Sequence, residues 1–240
     1  LMKKLMTRLF AITCTLLITL TTLLPVSARE NAFDLGRNLY STNYIFLDAD
    51  TGQVLDAKKQ DEQISIASLT KMMTVLLAIE NSSSLNENIT ITDEMLAGLY
   101  EEQASVAGYI SGDVATLLDL CYAAAVPSAA DAANALALQI GGSFEKFYQM
   151  MNDKAAELGM NHTVFKSAHG LDRDGQYSTV EDMSKLLRYA LQNPTFKEIF
   201  STKEYTTQAT TYYPFGIPLA STIWAYADTY GYDLTNLSGG

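Results

Sequence analysis

Ile66-Ala67-Ser68-Leu69-Thr70-Lys71-Met72-Met73-Thr74-Val75-Leu76-Leu77 is the stretch on which the reading of this chain turns. An extended segment gives way there to an apolar helical run. Ser68 and Lys71 stand three apart, on one helix face, so the amine can reach the hydroxyl. A serine hydroxyl is a weak nucleophile at neutral pH and needs a neighbouring base. Lysine can be that base when burial disfavours its charged form. Ser68 also falls at a helix N-terminus, whose partial positive field favours a developing alkoxide. Taken alone, the same letters describe a capping serine and a solvated lysine; the segments around them decide between the two.

Downstream, Met72, Val75, Leu76 and Ile79 recur at helical spacing and predict a core-facing stripe on a helix from about Ser68 to Asn81. Upstream, Tyr44-Ile45-Phe46-Leu47, the turn Asp50-Thr51-Gly52 and Gln53-Val54-Leu55 read as a hairpin. Asn88-Ile89-Thr90-Ile91-Thr92 is a short strand, and Thr92-Asp93-Glu94 opens a brief helix. The block from Thr116 to Val126 is apolar on nearly every side and is expected to be buried all round. It breaks at Val126-Pro127-Ser128, after which the small residues from Ala129 to Ala137 resume a helix that neighbours can approach closely. Ser143 caps a helix whose apolar side is Phe144, Phe147, Met150, Met151 and Leu158, and Gly159 stops it. Ser178-Thr179-Val180-Glu181 reads as a capping box for a helix to about Leu191. Asn193-Pro194 breaks that helix, a further turn or two follows to Phe200, and Thr/Tyr-rich β-type sequence begins at Lys203. Helices crowd the middle and strands flank it, so the class is mixed α/β.

The chain has 240 residues, 48% hydrophobic and 18% charged, enough for one large domain or two small ones. Lys3, Lys4 and Arg8 precede an apolar run from Leu9 to Leu24, and Val26-Ser27-Ala28 follows. This is the layout of a secretory signal peptide, with cleavage expected after Ala28. The threonines from Thr13 to Thr22 make the run a poor membrane span. Removing those three of the 16 basic residues leaves 13 against 27 acidic ones, a net of −14. Such a balance argues against nucleic acid and against docking on anionic lipid. Of the two cysteines only Cys121 would remain, which excludes an internal disulfide and suits an inert core thiol. No metal-ligand spacing occurs, and no cofactor is implied. His162 is expected to be exposed. His169-Gly170 reads as a turn held by side-chain hydrogen bonds rather than as part of a Ser-His-acid triad with Asp172. The tyrosines from Tyr205 to Tyr232 read as packing.

In this order the segments resemble the serine-type D-alanyl-D-alanine carboxypeptidases, the low-molecular-mass penicillin-binding proteins of bacterial cell walls. The resemblance is carried by Ala67-Ser68-Leu69-Thr70-Lys71-Met72-Met73-Thr74 and Val126-Pro127-Ser128-Ala129-Ala130-Asp131-Ala132-Ala133. Met151-Asn152, Leu158-Gly159-Met160, His169-Gly170-Leu171-Asp172 and Tyr177-Ser178-Thr179 add to it. It implies the penicillin-binding-protein/β-lactamase-like transpeptidase fold, a helical cluster packed on an antiparallel sheet with strands from both ends of the domain. It also implies that Ser68 attacks the carbonyl between two terminal D-alanines of a peptidoglycan stem peptide. Lys71 would take the serine proton, Ser128 would pass a proton to the leaving amine, and water would release the acyl group. β-lactams would acylate Ser68 for the same reason. Glu157 and Asn161 have the E-x-x-x-N spacing of class A β-lactamases, but the helix leading into Leu158-Gly159-Met160 fits the carboxypeptidase pattern better.

Two departures stand out. Ala130 occupies the asparagine position of the family's S-x-N motif, and Asp131, next along a helix, is directed about 100° away, a rotation set by helical geometry. The K-T-G motif of the family does not occur; its place in the order falls near Gly240. With Leu1 in first position, this reads as a partial frame: a signal peptide at 1–28 and a partial peptidase domain at 29–240, lacking its last strands and impaired on its own. Membrane association would come only through an uncleaved signal or sequence beyond Gly240. A non-catalytic relative that binds peptidoglycan or β-lactams is the alternative reading.

Overall fold

A computed structural model describes residues 39–206 and 222–224. The segment 1–28 read as a signal peptide, Cys14 within it, and most of the tyrosine-rich stretch lie outside the described residues. Strands β1 (Tyr44–Leu47) and β2 (Val54–Lys58) pair antiparallel, Tyr44 opposite Lys58, with a bulge between Phe46 and Leu47. The Asp48 carboxylate accepts from the Thr51 amide and hydroxyl, both at 2.7 Å, and closes the turn. Gly52 completes that turn at φ +76°, and a Cβ there would lie 2.4 Å from the Arg188 guanidinium.

A single 3-10 turn, Ala67–Leu69, leads directly into helix α1, Thr70–Asn81. Strand β3 (Asn88–Thr90), helix α2 (Asp93–Leu96) and strand β4 (Val114–Thr116) follow, with β3 and β4 paired antiparallel. Then come α3 (Leu117–Ala125), α4 (Ala130–Gly141), α5 (Phe144–Glu157), α6 (Val180–Ala190) and α7 (Pro194–Ser201). Strand β5 (Glu204–Thr206) pairs with β6 (Thr222–Trp224). The mixed α/β class is as the sequence predicts, and the described strands form three separate two-stranded ladders.

Helix α1 is the axis of the molecule. The periodicity predicts a one-sided stripe, yet every residue from Thr70 to Ala78 is buried. The reason is packing: α3, α4, α5, α6 and α7 all contact it, leaving no solvent face over its first two turns. Met73, Val75, Leu76, Leu77 and Ala78 are at most 2% exposed. Helix α3 is almost equally enclosed, and α4 presents the expected run of small buried residues. At the end of α4 a Cβ on Gly141 would sit 2.8 Å from Phe147 Cβ, so glycine permits the close approach of α5. Ser143 accepts from the Lys146 amide and caps α5, while Gly159, at φ +70°, follows its end. The cap of α6 falls one residue later than the capping-box reading. Thr179, not Ser178, accepts from the third amide of the helix, that of Asp182, because Ser178 is held in backbone pairing with Ile64. Among the described residues no helix is long and apolar enough to cross a membrane.

Candidate active site

Ser68 lies on the 3-10 turn in front of α1, and Lys71 lies in the first turn of that helix. Ser128 comes from the link between α3 and α4. Lys71 Nζ stands 3.1 Å from Ser68 Oγ, 3.3 Å from Ser128 Oγ and 2.7 Å from the His169 carbonyl oxygen. The structure therefore brings all three residues singled out in the sequence to one point, and adds a main-chain carbonyl that the sequence did not signal. Together with Ala67, Gln103, Ala104, Ser105, Ala130, Gly170 and Leu171 they line a pocket of about 90 Å³.

The local backbone is unusual on both sides of this point. Ala67 has φ +44° and Ser128 has φ +61°, a region L-residues with a Cβ seldom occupy. Strained positions of this kind tend to collect at functional sites. The loop from Phe165 to Asp172 is fastened to α1 by Lys71 and, three residues on, by Thr74, whose hydroxyl donates to the Ala168 carbonyl at 2.6 Å. Asn152 of α5 braces the start of that loop, donating to the Phe165 carbonyl and accepting from its amide. Gly170, at φ +87°, packs directly on the Ala67–Leu69 turn: a Cβ there would lie 1.9 Å from the Ala67 carbonyl oxygen.

Lys71 is 4% exposed. Burial pushes its amine down from the ordinary 10.5 to about 8, opposed by the negative charge of Asp131. Its place in the first turn of a helix acts in the same direction as burial, since a helix N-terminus disfavours a cation. His169 is also buried, and burial together with the Lys71 charge holds its imidazole down at about 4, hence neutral. Its Nδ1 accepts from the Leu171 amide within its own turn, and the Asp172 carboxylate accepts from the Ser65 hydroxyl, so these two are not a relay to Ser68.

Two residues matter more than their sequence context indicated. Asp131 is 1% exposed and accepts from the amides of Ala107, Gly108 and Tyr109. Arg173 donates twice to Glu102, at 2.9 and 2.8 Å, and ties the loop bearing Leu171 to the loop bearing Gln103. Other candidates stay away from the pocket. Glu157 pairs with Lys154 at 3.0 Å, and His162 is exposed. Cys121 is fully buried, with its thiol pushed well up by burial, and Tyr205 stacks on Tyr122. Among the described residues no group of three or more His, Cys, Asp or Glu side chains could hold a metal ion.

Known proteins share the sequence pattern and the fold of this chain. The sequence pattern of the D-alanyl-D-alanine carboxypeptidase family matches residues 25–225. The chain is 34% identical over 165 residues to the D-alanyl-D-alanine carboxypeptidase DacF of Bacillus subtilis, covering 67% of this chain and 41% of that one. It is 33% identical over 168 residues to the D-alanyl-D-alanine carboxypeptidase of Streptomyces sp. strain K15, covering 67% and 58%. It thus spans about half the length of these relatives. The crystal structure of the Streptomyces K15 DD-transpeptidase superposes with a TM-score of 0.67 at 33% identity, over 70% of this chain and 67% of that one. Fold, pocket and sequence pattern lead to the same place: the chain belongs to the D-alanyl-D-alanine carboxypeptidase family.

Proposed function

We propose that this chain is an exported serine D,D-peptidase domain that removes the terminal D-alanine from peptidoglycan stem peptides through an acyl-enzyme on Ser68. The observation that carries the reading is the amine of Lys71 held between the Ser68 and Ser128 hydroxyls. A neutral amine has one lone pair and two N–H bonds. Directed at Ser68, the lone pair takes its proton, while the two N–H bonds go to Ser128 Oγ and the His169 carbonyl. The three contacts of Lys71 match that valence.

Attack by Ser68 Oγ on the carbonyl between two D-alanines moves the serine proton to Lys71 and forms a tetrahedral intermediate. The Ser68 amide, at the N-terminal end of α1, is one donor for the developing oxyanion. Collapse breaks the C–N bond as a proton passes from Lys71 through the Ser128 hydroxyl to the leaving D-alanine. Water then attacks the ester and regenerates Ser68. A β-lactam follows the first half of this path and stays attached. The site lies outside the cytoplasm, where its substrate is found.

Ala130 favours a second reading. It lines the pocket with a methyl group where the family carries an amide, and a lost polar contact of this type slows acyl transfer by roughly 10²–10³. The chain would then bind peptidoglycan or a β-lactam without useful turnover. Labelling with a fluorescent penicillin separates the two. A covalent band that disappears in Ser68→Ala supports the peptidase; no band under prolonged exposure supports the binder. Release of D-alanine from a D-Ala-D-Ala peptide, with and without an added amine acceptor, distinguishes hydrolysis from the transfer chemistry named for the Streptomyces relative.

A further inference from the structure

The carboxylate of Asp131 is the most completely coordinated acid beside the pocket. It is the second residue of α4, immediately after Ala130. One oxygen accepts from the amides of Ala107 and, within its own helix, Ala132, at 3.0 and 2.9 Å. The other accepts from Gly108 at 3.0 Å and Tyr109 at 3.2 Å. Next to it the Ala130 amide donates to the Ser105 carbonyl at 2.7 Å. The start of α4 therefore grips the segment 105–109 by four amide hydrogen bonds. That segment continues into Gln103, Ala104 and Ser105, one wall of the pocket holding Ser68 and Lys71. Gln103 and Ala104 also line a second hollow, of about 640 Å³, to which Asp131 contributes. The loop borders both hollows, and Asp131 is its fastening.

We propose that Asp131 is a positioning residue of this site, holding the Gln103–Ser105 wall in place and setting the charge environment of Lys71. The proposal rests on the Ser68–Lys71 reading given above. Among the described residues no guanidinium or ammonium hydrogen-bonds this carboxylate. Its four donors are main-chain amides, which bring no countercharge. Among the described residues the charged and titratable groups around Lys71 are Asp131 from α4 and the neutral His169 from the loop 165–172, with the Glu102–Arg173 ion pair beyond it. Asp131 is thus the anion that opposes the burial of Lys71. It keeps the amine able to hold the serine proton until the leaving group takes it.

The test reads the Lys71 amine directly. The full chain with ¹³C-labelled lysine is titrated by NMR, the Lys71 resonance being the one lost in Lys71→Arg. Asp131→Asn removes the charge and lowers the Lys71 midpoint by on the order of one pH unit. Asp131→Glu keeps the charge but displaces the loop, so the midpoint stays while acylation by a fluorescent penicillin slows roughly tenfold, a positioning loss. An unchanged midpoint in Asp131→Asn overturns the proposal, since a carboxylate with a purely structural role would slow acylation without moving it. If Asp131→Asn does not fold, amide exchange in the wild-type chain decides. Protection of about a hundredfold at Ala107, Gly108 and Tyr109 supports the fastening, and exchange at free-loop rates overturns it. Because the resonance is read without turnover, a chain never labelled by penicillin would defeat the peptidase reading while leaving the Lys71 comparison intact.

Discussion

The protonation of Lys71 predicts how fast Ser68 can be acylated at each pH. With its amine at about 8, roughly one lysine in eleven is a free base at pH 7. At the ordinary 10.5 the fraction would be about one in three thousand. Burial thus enriches the reactive form by on the order of 10², equivalent to roughly 3 kcal/mol. The second-order rate of acylation by a fluorescent penicillin, followed by stopped flow, should rise about tenfold per pH unit below 8 and level off above it. Stability moves with the same group. Between about 8 and 10.5 the unfolded lysine carries a proton that the folded one does not, so stability rises with pH across that window. Below 8 both forms are protonated, and the folded state bears the full cost of burying the charge. An acylation rate flat from pH 6 to 9, or one still climbing beyond pH 10, would refute the assignment of Lys71 as base.

Gly170→Ala should destabilise the fold by roughly 2–5 kcal/mol, from positive φ and from overlap with the Ala67 carbonyl, and should suppress penicillin labelling. A melting temperature within a degree of wild type would contradict the close contact. Ala130→Asn should restore a polar partner at the pocket wall and raise acylation by roughly 10²; a rate at or below wild type would mean that the pocket is shaped for the methyl group. Leu76→Ala, in the fully enclosed part of α1, should cost about 2–5 kcal/mol in urea unfolding. A loss under 1 kcal/mol would mean that the axis of the core is less tightly packed than its burial implies.

What could be read from the sequence was local. Ser68 and Lys71 are three residues apart, and helical geometry alone puts them together. Ser143, Gly159 and the break at Asn193-Pro194 mark helix ends for reasons that need no tertiary contact. What escaped was everything fixed by distant main chain. The third partner of Lys71 is a carbonyl 98 residues away, and a carbonyl has no signature in a sequence. Helical angle turns Asp131 about 100° from Ala130, and nothing else in the sequence singles it out. Its importance comes from amides of a loop more than twenty residues earlier, and backbone donors are equally silent. The stripe that periodicity marks on α1 is too narrow for the same reason. Periodicity reports which side must be covered, whereas five surrounding helices determine that every side is.

The left-handed backbone at Ala67 and Ser128 carries its own consequence. Each conformation stores on the order of 1–2 kcal/mol that a glycine would release. Ala67→Gly would therefore make the folded chain sturdier by that measure, yet it would also free the turn that aims the adjacent hydroxyl. At this one methyl group thermal robustness and chemical competence pull in opposite directions, and drift toward the sturdier residue would erode the enzyme while leaving its fold untouched.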